Sequence, residues 1–342
     1  MRPDETVSLG STGVQVTRLG VGCAWFGNLY QGVPEDAAAG VLARAFELGI
    51  RLVDTAPLYG FGLADRRIAP ALAGVSRDSF VLSTKVGRTL RARRPDDPLD
   101  LAYDGKGPLF VDAPTLHAEF DFSYEAVMRS VEESLGRLGL ERLDIVLMHD
   151  PDDHYAQAVD GAYRTLHSLR DEGVVGAIGA GMNQPGMLAR FARDTDIDCV
   201  LLAGGYTLLD QSGAEEMLPE CARRGIGVVL GGVFNTGVLA QPSPQACYKY
   251  QVVPDEVLAR VRQLARTCES HGVPLKAAAL QFPFRHPAVT SVLTGVRSSV
   301  ELDDNASLLQ LPIPEAMWHE LYSSGLLSST SDEQPTATTY FR

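Results

Sequence analysis

The chain has no apolar run near the roughly 18 residues that a membrane helix needs, so no membrane contact is expected. It is poor in cysteine: Cys23, Cys199, Cys221, Cys247 and Cys268 are five in 342 residues, with no CxxC pair. An odd, scattered set supports neither a disulfide framework nor a zinc cluster. Positive charge is scarce, with 30 Lys and Arg against 43 Asp and Glu, a net −13. An acidic surface repels a polyanion, so no nucleic-acid partner is expected. Met1 to Thr6 hold no apolar signal core. With the unpaired thiols, this predicts a cytoplasmic protein. A homo-oligomer stays open.

Common chemical motifs are missing as well. There is no P-loop, no G-x-S-x-G elbow and no H-E-x-x-H. Gly20-Val21-Gly22 lacks the third glycine of a dinucleotide fingerprint. Asp150, Asp152, Asp153 and His154 have metal-binding chemistry, but they lie in a Pro-containing acidic turn that opens a helix. Capping and surface charge suffice there, and no metal is expected.

What the chain does have is rhythm. Apolar runs centred near Leu19, Val53, Leu82, Val146, Ile178, Leu201, Val229 and Val292 alternate with amphipathic stretches. Those stretches are Pro34–Leu48, Ser123–Leu138, Ala156–Arg170, Gly213–Arg224 and Asp255–His271. Ser123 can cap its helix, and Gly139 ends it. Repeated βα units mean parallel strands, and eight of them fit a closed (β/α)8 TIM barrel better than an open sheet. Val7–Thr17, with Gly10 and Gly13, reads as a β-hairpin capping the bottom. Two connections, Gly87–Asp121 and Gly237–Pro254, are long βα loops expected over the top. The basic run Arg88–Arg94 is a solvated loop face or a rim attracting an anion. Residues 1–327 are predicted to form a single domain, followed by a flexible tail, 328–342, rich in Ser and Thr.

Three strand-like runs end in titratable residues: Asp54, Lys85 and His149, with Tyr59 five residues after Asp54. Strand ends around a barrel share one cavity. Hydride addition to a carbonyl builds negative charge on oxygen, and a positioned acid must supply a proton. Tyrosine is a weak acid, with a free pKa of about 10. A neighbouring lysine is expected to lower it, an aspartate to keep that lysine charged, and a histidine N–H to orient the substrate oxygen. Singly, each residue has a plainer reading: a cap, a loop lysine, a packing aromatic, a core histidine. The set at matching strand ends is the specific signal.

At these residues the chain resembles the aldo-keto reductases. Asp54-Thr55-Ala56-Pro57-Leu58-Tyr59-Gly60, Ser83-Thr84-Lys85 and His149 carry the likeness, which runs from about Val7 to Leu327. The sugar-oxidising branch, aldose 1-dehydrogenases with pyridoxal 4-dehydrogenase nearby, resembles it in four further stretches. These are Phe120–Tyr124, His149–Asp153, Gly181–Gln184 and Tyr206–Gln211. The resemblance implies a nicotinamide dinucleotide across the barrel top and catalysis by Asp54, Tyr59, Lys85 and His149. Asn183 would hold the nicotinamide amide, with Met182 in place of the usual serine. Ala203 stands where a glutamine is common, and Gly231 or Gly232 where an aromatic stacks, so Phe234 would serve instead. Asn235, Thr236 and Gly237 would form the pyrophosphate loop. Gly295, Arg297, Ser298, Glu301, Asp304 and Asn305 would meet the adenine ribose. Gly22, Cys23, Gly232 and Val233 complete the implied cofactor contacts. A carboxylate at Glu301 would repel a 2′-phosphate and favour NAD over NADP, while Arg297 pushes the other way. Trp25, Phe26, Tyr248 and Tyr250 are the candidate substrate walls.

The resulting expectation is an NAD(P)-dependent oxidoreductase acting on a sugar hydroxyl, lactol or carbonyl, with Tyr59 as acid/base. Its rivals are an NADPH-dependent aldehyde or ketone reductase in a biosynthetic pathway, a non-catalytic cofactor-binding regulatory subunit, and a metal-dependent barrel hydrolase.

Overall fold

The computed structural model describes residues 1–98, 107–249 and 251–328. In chain order its strands are β1 (Thr6–Ser8), β2 (Gln15–Thr17), β3 (Leu19–Gly22), β4 (Leu52–Asp54), β5 (Val81–Val86), β6 (Arg88–Ala92) and β7 (Leu116–Phe120). There follow β8 (Leu143–His149), β9 (Val175–Met182), β10 (Cys199–Ala203), β11 (Gly227–Gly231), β12 (Cys247–Tyr248), β13 (Gln251–Val252) and β14 (Val289–Gly295). Strands β3, β4, β5, β8, β9, β10, β11 and β14 pair in parallel and close on themselves. All eight contain or border the predicted strand centres.

Side-chain alternation sorts each barrel strand into two faces. Leu52, Ile145, Leu147, Leu201, Val229 and Leu293 point inward and pack together. Their neighbours in sequence face the surrounding helices and form the larger core. Both faces are buried, which is why these strands read as largely apolar runs rather than as an apolar–polar alternation. Burying each such side chain contributes roughly 1.5–3 kcal/mol. The hairpin β1–β2 closes the bottom as expected: Leu9 and Val16, both fully buried, join the inward cluster. Gly10 makes that fit possible, since its φ is +58° and a Cβ there would lie 2.5 Å from the Gly225 carbonyl oxygen.

The helices are α1 (Ala37–Glu47), α2 (Leu63–Ala73), α3 (Tyr124–Leu138), α4 (Tyr155–Gln157), α5 (Arg164–Asp171), α6 (Pro185–Asp194), α7 (Met217–Arg224), α8 (Asp255–Ser270), α9 (Leu275–Gln281), α10 (Ser299–Gln310) and α11 (Glu315–Ser323). Ser123 caps α3 by accepting from Ala126 N, and Gly139 ends it at φ +67°. The helix predicted over Ala156–Arg170 is interrupted by a π-helical stretch, Ala158–Tyr163. There Gly161 crosses the Phe122 carbonyl so closely that a Cβ would lie 2.1 Å from its oxygen. Helices α2, α6, α9, α10 and α11 are not among those the pattern predicts. Pro70 inside α2 and Pro185 opening α6 read as breakers in sequence.

The loop 87–121 is no plain connection. β6 and β7 pair antiparallel, with Arg88 opposite Phe120 at the base. The loop 237–254 carries the short pair β12–β13. Most of the predicted tail, from 329 onward, lies outside the described residues, as does Tyr250.

Candidate active site

Alternation also explains why the titratable residues meet. Asp54 follows Leu52 by two, Lys85 follows Ser83 by two, and His149 follows Ile145 and Leu147 by four and two. Each therefore continues an inward-facing row to the upper rim. Register adds the lateral order, with Asp54 beside Ser83, Lys85 beside Leu147 and His149 beside Gly181. Tyr59 arrives from a tight turn after β4, whose amide donates to Ala56 O at 3.0 Å. That turn rests on the short helix Cys23–Gly27 through two glycines. A Cβ on Gly60, whose φ is +60°, would lie 2.5 Å from Gly27 O.

The four residues assemble around one amine. Lys85 Nζ donates to Asp54 Oδ2 at 2.7 Å, to Thr55 O at 3.0 Å and to Tyr59 OH at 3.1 Å. Ser83 Oγ donates to the other Asp54 oxygen at 2.8 Å. Lys85 and Asp54 are 2% and 3% exposed, so neither charge is shared with bulk water. The His149 ring lies perpendicular to the Tyr59 ring, centroids 6.0 Å apart.

Burial alone would strip Lys85 of its proton. Asp54 and the Tyr59 phenol outweigh it and hold the ammonium above its ordinary pKa. At Tyr59 burial wins: the phenol is pushed up to about 12, although Lys85 pulls it down. The expected lowering is therefore not met, because the same burial that excludes water penalises the phenolate. Burial, with the nearby Lys85 and Arg88 cations, drives His149 well below its ordinary value. At neutral pH the rim thus holds an ammonium, a carboxylate, a phenol and a neutral imidazole.

Sequence reasoning missed several neighbours. Asp150, which the sequence places in an acidic turn opening a helix, is half-buried beside His149, with Oδ2 3.7 Å from Nε2. Arg88, at the base of the β6–β7 hairpin, donates to that Oδ2 at 2.6 Å and lies over the Phe120 ring at 4.4 Å. Deeper, Thr55 Oγ1 donates to Asp65 at 2.7 Å, and Arg137 Nε donates to the same carboxylate at 2.9 Å. That chain ties α2 and α3 to the turn bearing Tyr59. Its only sequence signal was an Asp and an Arg on predicted or unassigned helices, too common to single out. Among the described residues no group of three His, Cys, Asp or Glu side chains could hold a metal.

The residues expected to hold a dinucleotide follow β11 and β14, which are neighbours in the barrel. In the turn after β11, Gly232, Asn235, Thr236 and Gly237 have φ of +65°, +46°, +60° and +104°. Such backbone turns amide N–H groups into a concavity suited to phosphate oxygens. The Oδ1 atoms of Asn235 and Asn305 are buried with no hydrogen-bond partner among the described residues. Unpaired buried acceptors of this kind suit a ligand that brings donors. Lys276, on α9, joins the two segments: Nζ is 5.5 Å from the Phe234 ring centre and 2.6 Å from Asp304 Oδ2. Arg297 is clasped by Glu301 through its backbone N–H and its guanidinium, both at 2.8 Å. Ser298 caps α10 by accepting from Glu301 N. Gly22 ends β3 beside Gly295, and Asn183 is exposed just past β9. These residues fit a nicotinamide dinucleotide laid across the top.

Some expected contacts do not hold as side-chain contacts. Cys23, Val233 and Phe26 are 0%, 1% and 0% exposed and belong to the main core. Cys23 and Val233 can offer only backbone, and Phe26 is no substrate wall. Trp25, expected as a substrate wall, lies under the Arg297 guanidinium at 5.2 Å and against Gly295. Tyr248 is half-buried on β12 and packs against the main core.

Comparison with known proteins agrees with this architecture. Residues 18–324 match the aldo/keto reductase family. A D-threo-aldose 1-dehydrogenase from a Pseudomonas species is 41% identical over 93% of this chain and 96% of its own. A pyridoxal 4-dehydrogenase from Microbacterium luteolum is 36% identical over 96% of this chain and 99% of its own. In fold, a glycerol dehydrogenase from Gluconobacter oxydans superposes with a TM-score of 0.73 at 19% identity, over 99% of both chains. An aldo-keto reductase from Bacillus halodurans, in its holo form, gives 0.72 at 22%, over 96% of this chain and 99% of its own. With a closed eight-stranded barrel, a family match over most of its length and two dehydrogenase relatives above 30% identity, the chain belongs to the aldo/keto reductase family and is an NAD(P)-dependent oxidoreductase.

Proposed function

We propose that the enzyme oxidises the anomeric hydroxyl of an aldose to a lactone, using Tyr59 as acid/base, Lys85 and Asp54 to set its proton affinity and His149 to orient the substrate oxygen. The observation carrying this reading is the Lys85 ammonium held at once by Asp54 and by the Tyr59 phenol. The aldose assignment takes its support from the 41% identical relative and from the neutral, hydroxyl-tolerant rim. When bound, the nicotinamide supplies the hydride acceptor or donor. In oxidation Tyr59 takes the proton of the substrate hydroxyl, and Lys85 stabilises the phenolate that does so. In reduction the phenol gives that proton to the carbonyl oxygen as charge develops there. His149, neutral at working pH, offers a ring N–H to the same oxygen.

NAD is the preferred cofactor on this reading. Glu301 neutralises Arg297 and presents carboxylate where a 2′-phosphate would lie. Tyr59→Phe tests the core of the proposal. Turnover with NAD and an aldose should fall by roughly 10²–10⁴ with little change in cofactor affinity. Near-native turnover in the variant would remove Tyr59 from the chemistry.

A further inference from the structure

Asp150 is a residue the reaction does not require, yet the fold goes to some length to place it. It directly follows His149, and its φ is +45°, in the left-handed region that non-glycine residues avoid. The conformation is held by its own amide, which donates to Gly181 O at 3.0 Å. Strain of this kind tends to persist where a site needs a side chain aimed. Here it swings the carboxylate back over the barrel mouth, with Oδ2 3.7 Å from His149 Nε2. The base of the β6–β7 hairpin then fixes it. Arg88 donates to Oδ2, and its guanidinium is braced against Phe120, which lies opposite it across the hairpin. No described residue donates to Oδ1. The carboxylate beside the rim histidine therefore keeps one oxygen, Oδ1, without a donor among the described residues and able to accept from a ligand.

Resting on the reaction proposed above, we infer that Asp150, positioned by Arg88, is the specificity-determining residue that binds a substrate hydroxyl on the carbon next to the reacting one. The oxygen that His149 orients and the oxygen that Asp150 accepts from are then neighbours on one carbon chain. This selects 2-hydroxy substrates, aldoses among them, over plain or 2-deoxy aldehydes. It also rejects a carboxylate or phosphate at that carbon, because Asp150 would repel it. Burial lifts the Asp150 carboxyl above its ordinary pKa against the pull of Arg88.

The test compares substrates pairwise, an aldose with its 2-deoxy analogue and a 2-hydroxyaldehyde with the plain aldehyde. Asp150→Gly is the variant of choice, since glycine takes φ +45° without strain, and its unfolding is followed by circular dichroism because Arg88 loses its carboxylate partner. Its kcat/KM should fall about 10–100-fold more on the hydroxylated member of each pair than on the other, the usual range for a charged hydrogen bond. Asp150→Asn, which still accepts, should lie between. Equal loss on both members overturns the inference, as does a wild type that does not discriminate within either pair. Failure of the underlying reaction is separable. It shows as retained turnover in Tyr59→Phe, whatever Asp150 does.

Discussion

Replacing Lys85 by Met separates the structural work of the buried amine from its chemical work. The side chain is 2% exposed and bonds to Asp54, Thr55 and Tyr59. At 2.7 Å and an effective dielectric of about 20, the attraction to Asp54 is about 6 kcal/mol gross, most of it offset by desolvation of both ions. Removing one partner leaves Asp54 charged, 3% exposed and held only by Ser83 Oγ among the described side chains. Breaking a buried pair in this way costs about 3–5 kcal/mol. Adding Asp54→Asn removes the stranded charge while keeping an acceptor for Ser83. The double variant should therefore recover about half or more of the loss, roughly 1.5–3 kcal/mol relative to Lys85→Met. Urea unfolding followed by circular dichroism measures this. Activity should not follow stability, because both variants lack the ammonium beside Tyr59. A Lys85→Met loss under about 1 kcal/mol, or a double variant no more stable than the single, would refute the claim that this pair is closed off from water. Recovery of turnover with stability would refute the claim that the ammonium acts on the phenol.

Oxidation and reduction should differ in pH dependence. Tyr59, with its pKa at about 12, is protonated through the neutral range, so reduction should be flat there and fall only as pH climbs toward that value. Oxidation needs the phenolate and should rise with pH across the same range; an oxidation plateau near neutral pH in steady-state rates would contradict this. His149 sits well below its unfolded value of 6.5, so the unfolded chain binds the extra proton first. Its contribution to stability is full above 6.5 and is lost as pH falls below, by at most about 1.4 kcal/mol per unit. His149→Asn should reduce that acid sensitivity in urea melts at two pH values. Glu301→Gln frees the Arg297 guanidinium and should shift the ratio of kcat/KM for NADP over NAD upward by about 2–5-fold, the scale of one partly exposed charge. An unchanged ratio would show that Glu301 does not set cofactor choice.

The barrel was legible because its strands are buried on both faces. Val200 and Val229 sit in runs with no polar interruption, and eight largely apolar runs in βα alternation admit few topologies. Three of the four rim residues, Asp54, Lys85 and His149, were legible for the same reason, each being a polar residue at the upper end of an apolar strand, and Tyr59 by its spacing after Asp54. What stayed hidden depends on contacts that alternation does not encode. Asp150 looked like one of several acids in a turn, and only its left-handed backbone turns it onto His149. Arg88 was one basic residue in a basic run until the hairpin register placed it opposite Phe120. Phe26 and Cys23 follow a strand as Asp54 does. The short helix after β3 turns both into the core, and that reversal has no periodic signature. The phenol's raised pKa was missed because proximity of Lys85 is visible in a motif and the depth of burial is not.

Charge balance at the rim bears on what the enzyme can accept. Lys85 is closed by Asp54, and Arg88 by Asp150, while Tyr59 and His149 are neutral. The formal sum over these six side chains is zero, and each cation already has its own carboxylate. An anionic substrate would find no unpaired cation here and would meet two carboxylates. A cationic one would meet the ammonium of Lys85. A neutral polyol meets a phenol, an imidazole and an open carboxylate oxygen, all of which exchange hydrogen bonds with hydroxyls at no cost in net charge. The basic run of the hairpin does not alter this. Arg91 pairs with Asp97 and Glu119 within the hairpin, and Arg88 with Asp150, so two of the four arginines of that run already hold carboxylates of their own.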